Sequence, residues 1–417
     1  MPELHALIVA PASARVLGLS LAERARRVAA RVGASRVVTL DSPSALSAWA
    51  AARGDADVLV LRGDQVVHPP LAQPLVEASG ARRISVDLGG LYAGALLASG
   101  AAAVDELIAA LTSDLVGGDR VLEARWLAAG GAAVPHGDIA HHRAETPTER
   151  RGAARMLLRI LVKSEDSPVS KYIYRPVSRP MTLALVGTPI TPNQISILVG
   201  IIGAIGCWVT SRAGQSSLIW GAALVLFAGF LDGCDGEIAR LRLTSSKLGA
   251  WLDTIVDEAT TTAYLVATGL HLHAERPTWS WVVPSIVVGF ACYCALIFAL
   301  YFYLIVVSKT GNSQHYEGSL DLVETPSGPA LRVRRRAASQ LPRWLRAIAQ
   351  ACLYLIRRDA INLGALALAC LNLYIPLYLL MFLGGLVAAL IAVPQHLILR
   401  SQLRALRSRG ALPRLIP

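Results

Sequence analysis

The stretch "DGCDGEIARLRLTSSKLGAWLDTIVDE", residues 232–258, follows directly on the apolar run "SLIWGAALVLFAGFL" at 217–231. It contains four aspartates: Asp232, Asp235, Asp253 and Asp257. A carboxylate at the edge of a bilayer or within it is costly, so by default it marks a functional site. If the flanking segments are helices, the aspartates form two same-face pairs, because their spacings are three and four residues. We expect the two pairs to converge on one point.

A metal centre follows from this convergence. Four neighbouring carboxylates cannot all ionise unless cations neutralise them. Ligands that offer only oxygen suit hard divalent ions, so the cluster predicts Mg²⁺ or Mn²⁺, with two ions bound. Arg240 lies one turn beyond Gly236 on the same helix face, where it is placed to meet phosphate. Two metal ions and a phosphate-binding arginine form a clamp for in-line displacement at phosphorus.

Small residues accompany the acids along this stretch. They are Gly233, Gly236, Ala239, Gly249 and Ala250. On a membrane helix, small residues allow a neighbouring helix to pack closely. They also let a flat or phosphorylated ligand approach the backbone. The residues alone leave both interpretations open.

The apolar content of the chain is uneven. The 417 residues are 54% hydrophobic, with a mean hydropathy of +0.48, and the long apolar runs begin at about residue 194. We predict six membrane helices, at 194–211, 216–234, 248–270, 280–306, 360–374 and 376–394. The predicted domains are an α/β domain at 1–142, a linker with juxtamembrane helices at 143–193, a six-helix membrane domain at 194–400 and a basic tail at 401–417. The chain is therefore expected to be an integral membrane protein with a soluble front end.

Basic residues set the expected orientation. The net charge is +11, but no nucleic-acid-binding module is recognisable, so an anionic lipid bilayer is the expected partner rather than nucleic acid. Before the fifth segment lie Lys309, Arg332, Arg334, Arg335, Arg336, Arg343, Arg346, Arg357 and Arg358, and the tail adds Arg400, Arg404, Arg407, Arg409 and Arg414. The opposite loops hold little beyond Arg212 and Arg276. Both termini are therefore predicted to be cytoplasmic, in a multi-pass protein of the cell inner membrane.

The front end alternates short β-branched runs with helical stretches. The runs are "ALIVA", "SRVVTL", "ADVLVLRG" and "RRISVDL", and "SLAERARRVAARVG" is typical of the helices. This alternation predicts an α/β domain with a largely parallel sheet. Residues 143–163 indicate a capped basic amphipathic helix that either lies on the membrane surface or joins the domains. Residues 332–358 indicate either an interfacial helix anchored by Trp344 or an ordinary charged loop.

The aspartate stretch carries a family resemblance. Written as D-x-x-D-G-x-x-A-R-x8-G-x3-D-x3-D, residues 232–257 are similar at every fixed position to the signature of the CDP-alcohol phosphotransferases (CDP-alcohol phosphatidyltransferases). "TPITPNQISILVG" at 188–200 also resembles that family's entry to its first membrane helix. The resemblance covers roughly residues 165–400 and implies a six-helix membrane fold, often dimeric. It also implies that an acceptor hydroxyl attacks the phosphorus distal to cytidine in a CDP-linked donor, and that CMP leaves.

The resemblance implies roles for individual residues. Asp232, Asp235 and Asp253 would be the firmest metal ligands. Asp257 would complete the metal site and serve as the candidate general base, so Asp253 and Asp257 are the expected catalytic pair. The expected contacts to the CDP part of the donor are Gly236, Ala239, Arg240 and Gly249. A base so near a metal is a weak proton acceptor, so metal activation of the hydroxyl is the alternative source of reactivity.

The front domain resembles a sugar-phosphate nucleotidyltransferase more loosely. Asp64, in "RGDQ", would occupy the place of a metal-binding aspartate, but "APASARVLG" replaces the glycine-rich loop, so a degenerate, structural or regulatory domain is expected. A working cytidylyltransferase and a different α/β fold are the alternatives. Placed ahead of the membrane motif, it resembles the bifunctional inositol-phosphate cytidylyltransferase/di-inositol-phosphate phosphate synthase arrangement. The implied donor is CDP-diacylglycerol or CDP-inositol, and inositol and inositol phosphate are candidate acceptors.

Several basic residues have a functional and a plain interpretation. Lys171, Arg175 and Arg179 either meet an anionic acceptor or lipid headgroup, or anchor a membrane helix end. His141 and His142 have no ligand-type partners at suitable spacing, so we expect them to face solvent rather than to bind metal.

Two other function classes compete with the enzyme. A cation transporter would use the aspartates as an ion path, but an arginine beside such a path is unfavourable. A membrane-anchored nucleotide-binding module would rely on the front domain, whose nucleotide loop is damaged.

Overall fold

The computed structural model describes residues 3–161, 167–312, 316, 320–325, 328–333, 357–409 and 415–416. These residues form two compact units. The first comprises residues 1–164, 183–189 and 237–244, and the second comprises 165–182, 190–236 and 245–417. The predicted interfacial helix with Trp344 lies outside the described residues.

The first unit has an α/β fold. Its strands are β1 Leu4–Val9, β2 Arg15–Val16, β3 Leu19–Ser20, β4 Arg36–Thr39, β5 Asp57–Arg62, β6 Gln65–Val67, β7 Arg82–Val86, β8 Tyr92–Ala98, β9 Ala132–Pro135 and β10 His141–Arg143. Its helices are α1 Leu21–Arg31, α2 Pro43–Ala51, α3 Pro69–Glu77, α4 Ala101–Ser113, α5 Gly118–Ala128 and α6 Pro147–Leu158. All four β-branched runs that the sequence indicated are strands.

The main sheet has six strands in the order β4-β1-β5-β8-β7-β9. β1 is parallel to β4 and β5, and β7 is parallel to β9, whereas β8 is antiparallel to both of its neighbours. Both faces are covered, since Leu7 and Val58 enter one apolar cluster and Ile8 and Leu59 enter the other. Successive side chains point to opposite faces, which explains the nearly continuous apolar strands. The predicted largely parallel sheet is confirmed.

Helix α1 contacts a second segment of the first unit, residues 237–244. The guanidinium of Arg24 is fully buried and donates to the backbone oxygen of Leu241 at 2.8 Å. Arg27 donates to the backbone oxygen of Arg242 at 2.8 Å. A helix leaves its last carbonyl groups without intrahelical partners, and basic side chains stabilise them. The two arginines therefore cap the carboxyl end of the helix that ends at Leu241.

The loop "APASARVLG" forms the β2–β3 hairpin instead of a phosphate cradle. Gly18 has a φ of +79°, and a Cβ built there would lie 2.0 Å from the backbone oxygen of Val186. Only glycine permits both this backbone conformation and this approach. The loop therefore packs against residues 183–189, which belong to the same unit.

The first unit contains a histidine whose protonation opposes folding. Burial, followed by the charges of Arg24 and Arg31, lowers the pKa of His68 to about 4. In the unfolded chain this group titrates near pH 6.5. The unfolded chain therefore binds more protons than the folded one between pH 6.5 and pH 4, so the unit loses stability as the pH falls through that window.

We expect His68→Gln to remove most of this pH dependence. The contribution of His68 to the free energy of unfolding is at most about 3 kcal/mol, present above pH 6.5 and lost by about pH 4. Hydrogen exchange of β1 and β5 amides in the full chain, corrected for intrinsic rates at each pH, measures it. An identical pH dependence in the variant and the natural protein would contradict the assignment.

The second unit is mainly helical. Its helices, with the continuation of α9 into the first unit, are α7 Arg175–Leu185, α8 Pro192–Thr210, α9 Gln215–Leu241, α10 Lys247–Glu275, α11 Val282–Tyr303, α12 Arg358–Cys370 and α13 Tyr374–Ser408. α11 continues as a π-helical turn, Leu304–Ser308, and another π-helical turn spans Ser170–Tyr174. The strands β11 Leu320–Thr325 and β12 Gly328–Val333 form an antiparallel hairpin, and β13 Leu415–Ile416 pairs parallel to β12.

Helices occupy all six predicted positions, but six membrane spans are not confirmed. Among the described residues, four helices are long and apolar enough to cross a membrane. They are Pro192–Thr210, Gln215–Leu241, Val282–Ser308 and Tyr374–Ser408. α10 is 29 residues long, but its acidic, threonine and histidine residues make it less apolar than these. α12 has only 13 residues, too few to span a bilayer alone.

Two predicted helix starts are found with their caps. α8 begins at Pro192 behind a capping box, in which Thr191 and Gln194 exchange hydrogen bonds between side chain and backbone. α6 has the same arrangement at Thr146 and Glu149, and it packs on β10 within the first unit. The TPNQ stretch is therefore the start of the first apolar helix.

Candidate functional site

Three of the four motif aspartates come together in the second unit. Asp232 and Asp235 lie on α9 and Asp253 lies on α10. Each offers a carboxylate oxygen, and these oxygens all lie within 4.8 Å of one another. We call these three residues the aspartate cluster. The acids at the two ends of the motif, on α9 and on α10, therefore point to one place.

The cluster has the geometry that a divalent cation needs. Mg²⁺ holds oxygen ligands at 2.0–2.1 Å, so two oxygens on one ion lie roughly 3–4 Å apart. The spacing within the aspartate cluster is compatible with this after small side-chain movements. All the donors are carboxylate oxygens, which suit Mg²⁺ or Mn²⁺. The residues fit a divalent metal, although the geometry does not select one ion.

Asp235 is held in place by two hydrogen bonds. The Ser196 hydroxyl, from α8, donates to one of its oxygens, and the backbone N–H of Gly236 donates to the other. Asp235 itself is buried. Ser196 thus fixes the orientation of a candidate ligand. Ser196 stands within the stretch at 188–200, but no motif spacing relates it to Asp235.

Asp257 occupies a different position from the other three. Its carboxylate accepts a hydrogen bond from Nη1 of Arg358, at the start of α12. Nη2 of the same guanidinium lies 2.5 Å from Oδ2 of Asp232. Arg358 therefore bridges the two ends of the motif. In the sequence, Arg358 is one of the basic residues before the fifth segment, and nothing local relates it to an acid about 100 positions earlier.

The bridge changes the charge balance of the site. A guanidinium supplies one fixed positive charge among four neighbouring carboxylates, and charge-assisted pairs of this kind are among the strong hydrogen bonds of proteins. The remaining negative charge still favours divalent cations.

The small residues of the motif allow close contacts. A Cβ at Gly249 would lie 3.1 Å from Oδ1 of Asn193, so this glycine lets the start of α8 approach α10. A Cβ at Gly233 would make only ordinary contact with Ser178. Ala239 and Arg240 lie in the last turn of α9, in the residues assigned to the first unit. The helix-packing role of the glycines is therefore visible at Gly249.

The candidate metal aspartate of the first unit is already paired. Arg62 donates to both oxygens of Asp64, at 3.1 Å and 2.5 Å, and to Asp119 at 2.8 Å. Tyr92 donates to the other oxygen of Asp119 at 2.9 Å. Burial alone would lower the pKa of Arg62, but Asp64 and Asp119 raise it above its usual value. Asp64 therefore serves an ion-pair network within the first unit.

The histidine pair is half-buried rather than facing solvent. His141 and His142 lie on β10, and the ring of His141 meets the ring of His136 edge-on, with centroids 5.0 Å apart. His142 packs on Gly152 of α6. We looked for groups of three or more His, Cys, Asp or Glu side chains whose ligand atoms are close enough to share an ion. Within the described part of the chain, the aspartate cluster is such a group. The histidines do not form such a group.

The basic residues near the second unit's start lie on short helices. Lys171 belongs to the π-helical turn at Ser170–Tyr174, with its ammonium 5.5 Å from the ring centre of Tyr172. Arg175 and Arg179 belong to α7.

The region that holds this site has known relatives. Residues 189–324 match the family model described as CDP-alcohol phosphatidyltransferase. This region is therefore similar to the CDP-alcohol phosphatidyltransferases. The match includes every fixed position of the aspartate motif, from Asp232 to Asp257.

Curated proteins resemble the chain over part of their length. It is 37% identical over 152 residues to the bifunctional IPC transferase and DIPP synthase of Rubrobacter xylanophilus, covering 34% of this chain and 33% of that protein. The protein of the same name from Aquifex aeolicus is 32% identical over 146 residues, covering 34% of this chain and 32% of its own. An archaetidylinositol phosphate synthase from Methanothermobacter thermautotrophicus is 32% identical over 84 residues, covering 20% of this chain and 42% of that protein. The matched part of the chain spans about a third of the length of the first two relatives.

Proposed function

We propose that this protein is an integral membrane enzyme that transfers a substituted phosphate from a CDP-linked donor to the hydroxyl of an alcohol acceptor and releases CMP. The observation that carries the proposal is the convergence of Asp232, Asp235 and Asp253 inside a CDP-alcohol phosphatidyltransferase domain. A cluster of acids alone is common, but the complete motif around it ties this cluster to one reaction class.

The aspartate cluster would hold two Mg²⁺ or Mn²⁺ ions, with Asp257 completing the site. When bound, such ions neutralise the diphosphate of the donor and make its phosphorus a better electrophile. Ser196 keeps Asp235 oriented for this task. Gly236, Ala239 and Arg240 follow Asp235 along α9, and with Gly249 they are the proposed contacts to the CDP part of the donor.

The chemical step is a displacement at phosphorus. The acceptor oxygen forms a bond to the phosphorus distal to cytidine, and the bond from that phosphorus to CMP breaks. The acceptor proton passes to Oδ1 or Oδ2 of Asp257, and CMP leaves with the bonding electron pair. A carboxylate bound to a guanidinium is a weak base, so Arg358 has to release Asp257 before the proton moves.

The names of the relatives guide the choice of substrates. An archaetidylinositol phosphate synthase is among them, so we infer inositol or inositol phosphate as the acceptor class. The donor is then CDP-diacylglycerol or CDP-inositol. The first unit is proposed to be a degenerate nucleotidyltransferase, because Asp64 is bound to Arg62 and the β2–β3 hairpin replaces a phosphate cradle.

The membrane setting completes the proposal. The excess of arginine before α12 and at the end of α13 favours cytoplasmic termini and a cytoplasmic mouth of the site, in an inner membrane with anionic lipid. A homodimer is the proposed assembly. Arg358 within the acids argues against a cation path, since a fixed positive charge opposes cation entry.

Metal-dependent CMP release tests the function directly. Purified protein in vesicles that contain anionic lipid is given CDP-diacylglycerol or CDP-inositol, each with inositol, inositol phosphate or glycerol phosphate. We expect one donor–acceptor pair to yield CMP and a phosphodiester in equal amounts with Mg²⁺ or Mn²⁺, and EDTA to stop both. Absence of CMP from every pair with either ion, or ion flux without CMP, would overturn the proposal.

A further inference from the structure

A cavity of about 360 Å³ lies among the helices of the second unit. All of α8 to α13 contribute to its wall. Its volume lies in the range of natural small-molecule sites. The cavity is therefore large enough for a small ligand rather than for a few water molecules.

One end of the cavity is formed by the candidate site. Asp257 and Arg358 both line it, and Arg358 also contacts Asp232 of the aspartate cluster. A molecule held in the cavity can therefore present an atom to Asp257, the proposed acceptor of the proton.

One residue of the cavity wall, Glu258, has no role in the proposed reaction. It follows Asp257 on α10, lies outside the fixed positions of the motif and lines the cavity. Within the described residues, its carboxylate forms no hydrogen bond or salt bridge. Glu258 is half-buried. A carboxylate in an apolar helical bundle is expensive when it lacks a partner. The missing partner is expected to come from a ligand.

The rest of the wall indicates what kind of ligand fits. Tyr293 and Thr261 line the cavity near Glu258, and the Tyr293 hydroxyl lies 3.5 Å from its nearest partner, the Met381 backbone oxygen, at the long limit of a hydrogen bond. Leu296 and Leu380 supply an apolar wall. A small polyol has both kinds of surface, with hydroxyls at its edge and C–H groups on its face. An alkyl chain would leave Glu258 desolvated without a partner, which is unfavourable.

We propose that this cavity binds the polyol acceptor, and that Glu258 accepts hydrogen bonds from acceptor hydroxyls other than the attacking one. The proposal rests on the proposed function and adds a specificity-determining residue to it. Glu258 would thus select polyols over simple alcohols, while Asp257 receives the proton.

Substitution of Glu258 tests this role by its effect on the acceptor. We expect Glu258→Gln to raise the KM for inositol phosphate about tenfold and Glu258→Leu to raise it about a hundredfold, with the donor KM changed less than twofold. Glu258→Asp should recover part of the loss. The natural enzyme should discriminate against a deoxy analogue of the acceptor, and Glu258→Leu should not, which a purely structural role would not produce.

Two glycines provide a matched steric test. A Cβ at Gly384, which lines the cavity, and a Cβ at Gly364, which lies on α12 away from it, both meet nothing within 4 Å. Gly384→Leu therefore adds a bulky apolar side chain to the cavity wall, and Gly364→Leu is the control. We expect Gly384→Leu to raise the acceptor KM at least tenfold and Gly364→Leu to leave it unchanged.

The outcomes separate this inference from the proposed function. Absence of metal-dependent CMP release in the natural protein would defeat the proposed function and the inference with it. Normal CMP release with an unchanged acceptor KM in Glu258→Leu and Gly384→Leu would defeat the inference alone. A rise in the KM for a lipid donor in Gly384→Leu, without a change for the acceptor, would assign the cavity to a lipid chain and would also overturn it.

Discussion

Asp253→Asn is expected to reduce metal-dependent CMP release roughly 10³-fold or more. The substitution removes one anionic ligand from the aspartate cluster, and with it the stabilisation of charge at the reacting phosphorus, which typically contributes several kcal/mol. The side chain keeps its shape, so folding is preserved. The rate of CMP release at saturating donor and acceptor measures the effect.

Mn²⁺ binding by the same variant provides a readout that does not depend on turnover. Asp253→Asn should weaken Mn²⁺ affinity at least tenfold. Glu275→Gln is the matched control, because Glu275 lies at the other end of α10, where it accepts a hydrogen bond from the Gly214 backbone at 2.6 Å. Near-normal CMP release and Mn²⁺ affinity in Asp253→Asn would be incompatible with the proposed metal site.

Arg358→Gln is expected to make the metal-free protein less stable and its metal affinity higher. Without the guanidinium, Asp232 and Asp257 lose their bridge and repel each other, at a cost of about 2 kcal/mol. The same loss of positive charge should tighten Mn²⁺ binding about tenfold. Saturating Mg²⁺ should restore most of the lost thermal stability, because a ligand that binds only the folded state stabilises it.

Arg276→Gln is the control for this second prediction. Arg276 also forms a side-chain hydrogen bond, to the Tyr374 hydroxyl at 3.1 Å, but it lies outside the aspartate cluster. Thermal unfolding with and without Mg²⁺, together with Mn²⁺ titration, measures both effects. Equal metal affinity and equal metal-free stability in Arg358→Gln and the natural protein would refute the bridging role.

The fold was predictable where the residues of a single strand or helix were enough to identify it. The β-branched runs of β1, β4, β5 and β7 identified the sheet. β8, "YAGALLA", was not foreseen, because alanine and glycine carry no strand preference and its position depends on pairing with β5 and β7.

The predicted membrane spans show the same dependence on tertiary context. An apolar run marked a helix at each position, but α12 proved too short to span alone. Two of the acids and two of the threonines that make α10 less apolar line the cavity: Asp257, Glu258, Thr260 and Thr261. Hydropathy therefore located the helices without settling which of them cross a bilayer.

The candidate site was predictable to the extent that its spacing was local. The spacings of three residues within the first aspartate pair and four within the second placed the acids on two helix faces. The structure brings Asp232, Asp235 and Asp253 together. The partners Ser196 and Arg358 come from other helices, so no spacing rule identifies them. Their contribution depends on packing, which a single sequence does not reveal.

The contact of Arg24 and Arg27 with the end of α9 gives these two arginines an anchoring role. Their side chains hold the backbone oxygens of Leu241 and Arg242, at the end of the same helix that carries Asp232 and Asp235. Natural selection can retain both arginines for this anchorage alone, independently of any nucleotide chemistry in the first unit.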